Sequence, residues 1–257
     1  MTEEDLLLQV YYFSLILTRI VGLFVLVPIF GSKAIPKRFK IGLAIIITII
    51  LMGVISLPEV KVPQLGLLVL QLLTEFTIGL IMGFILLLVF VAVQLAGQLI
   101  ARRMGLAMAN ILNPQSGTRV AVIGQLQNII AILVFLTLNG HHQILRLLVT
   151  SFDLINLGQF NTSSDLFALL LRLNGDLFPM AFKIALPILA TLFIVDLSFG
   201  LVARTVPQLN VFMLGLPLKL LVGLIILTIT LPNYISFLET TFKNVFKNIY
   251  AVLKLIG

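Results

Sequence analysis

Six ionisable side chains lie inside strongly apolar runs of this sequence. They are Arg19, Glu75, Lys183, Asp196, Arg204 and Lys219. At a bilayer centre a charged residue costs roughly 2.5–3.5 kcal/mol, so each of these positions is a candidate for function or for pairing. One interpretation is structural, with Arg19 or Arg204 paired to Glu75 or Asp196 within a protein interface. The other is proton or cation coupling by Glu75 and Asp196, although the charges do not fall into two matching halves as in an inverted-repeat transporter.

Motifs for enzymatic chemistry are missing from the sequence. It contains no phosphate-binding G-x-x-x-x-G-K-[ST], no zinc-binding H-E-x-x-H and no G-x-S-x-G serine nucleophile. There is no cysteine, which excludes disulfides and thiolate metal sites. His141 and His142 follow the turn signal Asn139–Gly140 and are expected to cap a helix end, with proton sensing or metal binding as the alternative. We therefore expect no enzyme, no cofactor and no metal.

Small residues mark a predicted place of close helix packing. Gly79 and Gly83 are four residues apart and so share one helix face, and Gly97, Ala101 and Gly105 repeat that spacing. Such faces let the backbones of membrane helices approach closely. The pattern predicts that Gly79, Gly83 and Gly97 contact neighbouring helices.

The segment "RRMGLAMANILNPQSGTR", residues 102–119, has basic ends and an apolar middle. Glycine and proline prevent it from forming one straight helix. Two interpretations are equally open: a loop packed on its own helix bundle, or a loop inserted in a pore, where methionine adapts its shape to close the gap. The residues of this candidate plug are Met104, Gly105, Met108, Ile111, Leu112, Asn113, Pro114 and Gly117.

A second polar interruption, "ARTVPQLNVFMLGLPLKLL", spans residues 203–221. Prolines end or kink helices, and a break is tolerated at membrane depth where it faces protein or a water-filled channel. The alternative is a short interfacial loop whose polar groups meet water. The residues predicted to hold this break and to contribute to assembly are Arg204, Pro207, Gln208, Asn210, Pro217 and Lys219.

Composition identifies the elements that carry these residues as membrane helices. Of 257 residues 60% are hydrophobic and 11% charged, against about 25% charged in soluble domains. The first apolar run follows acidic residues and is too long for a cleavable signal. We predict an all-α polytopic membrane protein with long, kinked helices and helical hairpins, built to pack into a larger helical assembly. It forms one domain, 1–257. The candidate spans are Leu6–Phe30, Ile41–Leu57, Leu65–Ile100, Val120–Leu138, Leu177–Ala203 and Val211–Leu231, with a weaker segment at Gln143–Leu157.

Two features of these segments leave alternatives open. Leu65–Ile100 is too long for one untilted span, so it is either one long helix or a helical hairpin. Residues 232–257 form an amphipathic C-terminal helix with an apolar stripe and three lysines between the stripe residues. That helix either lies on the bilayer surface or docks on a partner.

Charge gives a topology with an internal conflict. The net charge is +7, and its position between apolar runs indicates a membrane leaflet, not nucleic acid. Gly31–Lys40 and Ala101–Arg119 are basic and should be cytoplasmic. With six simple spans both termini are then outside, which conflicts with the lysines of the tail.

Five segments in this order resemble the FliR family of the type III secretion export apparatus: "RIVGLFVLVPIFGSKAIPKRFKIGLA", "TEFTIGLIMGF", "AGQLIARRMGLAMANILNPQSG", "NGHHQILRLLVTSF" and "RTVPQLNVFMLGLPLK". Together they run from Arg19 to Lys219. The family often has aspartate before the proline of the loop motif, where this chain has Asn113.

The resemblance implies a non-catalytic core subunit of the flagellar protein-export gate, part of the channel for unfolded flagellar substrates, with Met104–Gly117 as a pore plug. It implies FliP-like and FliQ-like partner subunits, with FlhB-like and FlhA-like components nearby. It also implies a place in the bacterial inner membrane at the flagellar basal body. The alternatives are a virulence-type III export-gate homologue and a proton- or cation-coupled secondary transporter.

Overall fold

The computed structural model describes residues 3–31, 35–55, 63–106, 122–205 and 211–257, and these ranges are helical with short connections and no strand. This confirms the all-α prediction. The helices are α1 (Glu3–Leu26), α2 (Pro28–Gly31), α3 (Lys37–Met52), α4 (Leu65–Arg103), α5 (Val122–Thr137), α6 (Gly140–Leu154), α7 (Ser164–Gly175), α8 (Leu177–Thr205) and α9 (Val211–Ile256). Side chains at 3, 4, 29 and 211–213 are not described.

Within the described residues, four helical segments are long and apolar enough to cross a membrane. They are Asp5–Leu26, Leu65–Arg103, Ser164–Thr205 and Leu214–Ile256, and α5 with α6 gives a fifth if that bent pair is one broken span. Of the six candidate spans read from hydropathy, the described residues therefore provide four or five helices of membrane-crossing length. The predicted span Ile41–Leu57 is α3, which has 16 residues and a length of about 24 Å, less than a hydrocarbon core of about 30 Å.

Two alternatives that the sequence left open are decided by the helix boundaries. Leu65–Arg103 is one helix of 39 residues, so the hairpin alternative for this segment is wrong. Likewise α9 continues for 46 residues with Pro217 and Pro232 inside it, so neither proline ends a helix. Helix α7 was not predicted, because its 12 residues are too few for a membrane span of about 20 residues.

The apolar stripe of the C-terminal segment is buried by the chain itself. Leu238, Phe242 and Leu253 are fully buried and Ile249 nearly so, while Lys243 lies exposed on the other side with Lys247 and Lys254. Both interpretations of the tail were wrong about this stripe, since neither the bilayer nor a partner is needed to cover it. The helix end is also held by Asn161, whose backbone N–H donates to the Ile256 carbonyl at 3.1 Å.

The chain forms two compact units. The first comprises Met1–Leu88, Asn139–Asn174 and Phe242–Gly257, and the second Val89–Leu138 and Gly175–Thr241. In the first unit α1 packs on α3, and its core includes Leu15, Ile20, Ile78 and Leu148. The core of the second unit includes Val93, Ala131, Phe135, Ala185 and Leu192. The prediction of a single domain remains a prediction.

Candidate functional site

A completely buried ion pair lies in the first unit. Arg19 in α1 donates through Nε to Glu75 Oε2 at 2.5 Å and through Nη2 to Oε1 at 3.1 Å. Both side chains are 0% exposed. This two-point geometry is the strongest way in which a guanidinium binds a carboxylate. The sequence named both residues but offered Arg204 as an equal partner, and the structure selects Arg19.

The remaining hydrogen-bonding capacity of the pair is also used. Arg19 Nη1 donates to Ser151 Oγ at 3.0 Å, and the guanidinium lies 4.0 Å above the centre of the Phe152 ring. Glu75 Oε1 accepts a further hydrogen bond from the Gly158 N–H at 2.8 Å. The pair therefore joins α1, α4, α6 and the turn that follows α6. A buried pair of charges is tolerated only when its hydrogen bonds are completed in this way.

Glycines bring α1 and α4 close enough for this pair to form. A Cβ atom at Gly79 would overlap the Arg19 carbonyl oxygen, and one at Gly22 would overlap the Phe76 carbonyl oxygen. At Gly83 a Cβ would lie 2.9 Å from the Leu23 carbonyl oxygen. The two backbones thus touch along about two turns of helix. Gly22 has no glycine or alanine three or four positions away, so spacing alone did not point to it.

The turn beside the ion pair also depends on a glycine. Gly158 has φ = 76°, a left-handed conformation that favours glycine. A Cβ at this position would lie 2.7 Å from the Gln71 side chain, whose Oε1 accepts a hydrogen bond from the Tyr11 hydroxyl at 2.8 Å. This conformation points the Gly158 N–H at Glu75.

In the second unit α4 and α5 cross at a pair of glycines. A Cβ at Gly97 would overlap the Cα of Gly124. Beside this crossing, the Gln127 backbone carbonyl accepts a hydrogen bond from the Tyr234 hydroxyl at 2.9 Å. The crossing thus joins α4 to α5, and the tyrosine joins α5 to α9.

The root of the candidate plug, Ala101–Leu106, is fully described and belongs to the second unit. The Leu106 N–H donates to the Ala101 carbonyl at 3.1 Å, and the Gly105 N–H to the Arg102 carbonyl at 3.2 Å. With Gly105 at φ = 84° this is a Schellman ending of a helix. The glycine therefore turns the chain out of α4 at a defined position.

Side chains fix the same root to α8 and α9. Met104 is 1% exposed, and its Cγ and Cε would lie 2.8 Å from a Cβ at Gly223, so this glycine leaves room for the methionine in its present position. Asp196 of α8 contacts the Lys219 ammonium of α9, and its other oxygen lies 3.9 Å from Arg103 Nη1. The three charged side chains are partly exposed, at 59%, 29% and 24% for Arg103, Asp196 and Lys219. Asp196 was predicted to be a buried charge, and the structure leaves it accessible.

The remaining predicted residues fall in three groups. Arg204 is exposed in the last turn of α8, and Pro217 lies within α9. Asn139 adopts φ = 53°, as its turn signal predicts. His141 and His142 lie at the start of α6, with ring centres 4.2 Å apart. Outside the described residues lie Met108, Ile111, Leu112, Asn113, Pro114, Gly117, Pro207, Gln208 and Asn210.

The arrangement favours mechanical linkage of helices over proton transfer. Glu75 is held by a cation and a backbone N–H, and Asp196 by two cations. Among the described residues no group of three potential metal ligands is brought together. Sequence analysis missed Ser151, Gly158, Gly124 and Gly223, because small residues in a helix or loop give no signal until the chain that faces them is known.

Comparison with known proteins places these features in a family. The family model of the bacterial export proteins, family 1, matches residues 10–245. The flagellar biosynthetic protein FliR of Bacillus subtilis is 35% identical over 251 residues, which covers 95% of each chain. FliR of Escherichia coli is 33% identical over 240 residues, covering 93% of this chain and 90% of that protein. FliR of Pectobacterium carotovorum is 36% identical over 238 residues, covering 91% and 90%.

Proposed function

Because the chain belongs to family 1 of the bacterial export proteins, the family of the flagellar biosynthetic protein FliR, we propose that it is a core subunit of the flagellar type III protein-export gate. In this role it forms part of the channel through which unfolded flagellar proteins cross the bacterial inner membrane. The family match extends over both compact units, so the proposal concerns the whole chain.

The observation that carries this proposal is the uncovered apolar surface of α8 and α9. In the apolar windows of Ser164–Thr205 and Leu214–Ile256 only 17% of the residues are buried, against 61% in Leu65–Arg103. A straight helix of the 46 residues of α9 would be about 69 Å long, more than twice a hydrocarbon core of about 30 Å. Not all of that length can lie in the hydrocarbon core of a bilayer. We infer that helices of FliP-like and FliQ-like subunits cover the exposed apolar parts of α8 and α9, with FlhB-like and FlhA-like components adjoining the gate.

The segment Met104–Gly117 is proposed to plug the channel in the closed gate. What supports this is its root, where Met104, Gly105 and Arg103 are fixed to α8 and α9. A root held at a defined position lets a short apolar segment reach one place repeatedly, as a plug requires. The methionines of the segment are unbranched and soft, which suits closure around a changing cross-section.

The interruption between α8 and α9 is proposed to hold the assembly together through its polar side chains. Arg204 is exposed at its start, where it is free to bind an acidic group of a partner. Lys219 at its other side already binds Asp196. In this proposal Pro207, Gln208 and Asn210 form the break, and Pro217 follows it within α9.

Secondary transport coupled to protons or cations is the weaker candidate. Its two candidate carriers are Glu75 and Asp196, and both carboxylates are already bound by basic side chains. Glu75 is in addition fully buried behind Phe152 and Gly158. A carrier must exchange its ion with water on each side in turn, and Glu75 has no such access.

Export by cells that lack this gene tests the proposal. Without the gene, secretion of flagellar hook and filament proteins should stop, and the wild-type gene should restore it. Normal secretion without the gene would refute the function.

A loop variant tests the plug separately. Replacing Ala107–Leu112 with a Gly–Ser linker of equal length should leave the complex assembled but make the membrane leaky to small ions. An assembled complex with unchanged ion conductance would refute the plug and leave the export role standing.

A further inference from the structure

A cavity of about 270 Å³ opens in the second unit between α5, α8 and α9. Most of its wall is apolar, formed by Ile130, Ile184, Ile188, Leu227, Leu231 and Phe237. Protein interiors are close-packed, and cavities of this size are few and usually accept a ligand or a side chain. The polar groups of the wall therefore indicate what the cavity takes.

Two of the polar groups in the wall are already satisfied within the chain. The Tyr234 hydroxyl donates to the Gln127 carbonyl at 2.9 Å. The Thr230 hydroxyl donates to the Ile226 carbonyl at 2.8 Å. Neither is left with a proton to give to an incoming group.

Lys183 is the charged residue of the wall, and no carboxylate lines the cavity with it. Its side chain is exposed. Within the described ranges of the chain, Glu75 pairs with Arg19 and Asp196 with Lys219 and Arg103, and neither carboxylate pairs with Lys183. An ammonium group inside an apolar helix faces protein or water and attracts a negative charge.

The helix around Lys183 also lacks one backbone hydrogen bond. Pro187 lies inside α8 four residues later and has no N–H to give to the Lys183 carbonyl.

We propose that this cavity receives an acidic side chain carried on an apolar helix of another export-gate subunit, whose carboxylate pairs with Lys183. The surroundings suit an apolar helix, because the exposed side chains beside the lysine are large and apolar: Phe182 and Leu186 are 52% and 59% exposed. These side chains supply the apolar contact, and the single ammonium group fixes the position of the incoming helix along α8. The inference rests on the proposed function, since it names a contact of this chain with its gate partners.

The first test compares co-purification of the partner subunits with tagged full-length variants. Lys183→Glu places two carboxylates together and should reduce the recovered FliP-like and FliQ-like subunits about tenfold or more, as expected when a buried interfacial charge pair is broken. Lys183→Arg keeps the charge and should recover close to the wild-type amount. Lys254→Glu, at an exposed lysine in the other unit, is the matched control and should change recovery less than about twofold.

A second measurement identifies the occupant and does not depend on the stability of the lysine variants. A photoreactive benzoylphenylalanine at Leu227 inside the cavity should cross-link in cells to a gate subunit, and one at exposed Leu70 in the first unit serves as the reference. Adducts with phospholipid alone at Leu227 would overturn the proposal in favour of a lipid phosphate. Wild-type recovery with Lys183→Glu would overturn it in favour of a lysine that faces water, with the export function intact. If the wild-type chain itself recovers no gate subunit, both the inference and the proposed function fail.

Discussion

The buried Arg19–Glu75 pair predicts that removing one of its charges causes a large loss of stability, which removal of the second charge restores. Glu75→Gln removes the negative charge but keeps the shape of the side chain. Arg19, which is 0% exposed, is then left as an uncompensated buried cation. Removing one member of such a pair costs about 3–5 kcal/mol, or roughly two to four orders of magnitude in the folding equilibrium. Because whole domains are stable by only about 5–15 kcal/mol, we expect little assembled protein in the membrane.

The second substitution of this prediction restores neutrality. In the double variant Arg19→Met with Glu75→Gln no charge remains buried. In the wild type the Gly158 N–H donates to Glu75 Oε1 at 2.8 Å, and the amide oxygen of the new glutamine can accept the same hydrogen bond. Ser151 keeps its own hydrogen bond to the Leu148 carbonyl at 2.7 Å. Well-packed neutral residues often replace a buried pair at little cost. The double variant should therefore recover most of the stability that Glu75→Gln alone loses.

The assay is the fraction of complex that survives a temperature series in mild detergent, measured by size-exclusion chromatography. Asp153→Asn is the control, because it removes an exposed carboxylate from the same helix that carries Ser151. Its effect should stay within about 0.5 kcal/mol. Two results would refute the reasoning: a Glu75→Gln protein as stable as the wild type, or a double variant no more stable than the single one.

Two further predictions concern the glycine contacts and the root of the loop. Gly79→Ala should abolish assembly, because its Cβ would meet the Arg19 backbone. The control Gly42→Ala, with no atom within 4 Å of its Cβ, should have no effect. Equal yields of assembled complex from the two variants would contradict the helix contact. Asp196→Asn should cost no more than about 1 kcal/mol, since the pair is partly exposed, yet it should increase ion leakage through the assembled gate by loosening Arg103 and Lys219. Conductance equal to that of the control variant Asp176→Asn would show that these charges do not hold the loop.

The membrane class and the helical architecture were predictable from the sequence, because both follow from local composition. Long apolar runs with few charges can satisfy their backbone groups in lipid only as helices. The count of spans was not predictable in the same way. Hydropathy treats every apolar run as facing lipid, whereas much of α4 is buried by protein and α3 is too short to cross on its own.

The C-terminal helix also shows that sequence patterns do not reveal which surroundings cover an apolar surface. Its stripe of Leu238, Phe242 and Leu253 has the spacing of an amphipathic helix, and spacing cannot tell whether lipid, a partner or the chain itself covers that stripe. The predicted start of this helix at Pro232 was wrong, because a long helix packed by its neighbours tolerates the backbone hydrogen bond that a proline removes.

For the candidate sites the sequence identified the charges but not their pairing. Arg19 and Glu75 were conspicuous because charge is rare in apolar runs, but 56 residues separate them. Contacts at that distance along the chain depend on how helices cross. The glycines that set the crossing of α1 and α4 give only part of the signal: Gly79 and Gly83 share a face, while their counterpart Gly22 stands alone.

The central claim, that this chain works as a subunit of a protein-export gate, is tested most directly by purification of the tagged, full-length chain from its own membranes in mild detergent. The expected result is one complex that contains FliP-like and FliQ-like subunits in fixed ratio to the chain. Alone, the chain should aggregate or be degraded, because α8 and α9 leave their apolar faces uncovered. A stable, monodisperse monomer that carries no other gate subunit would contradict the claim.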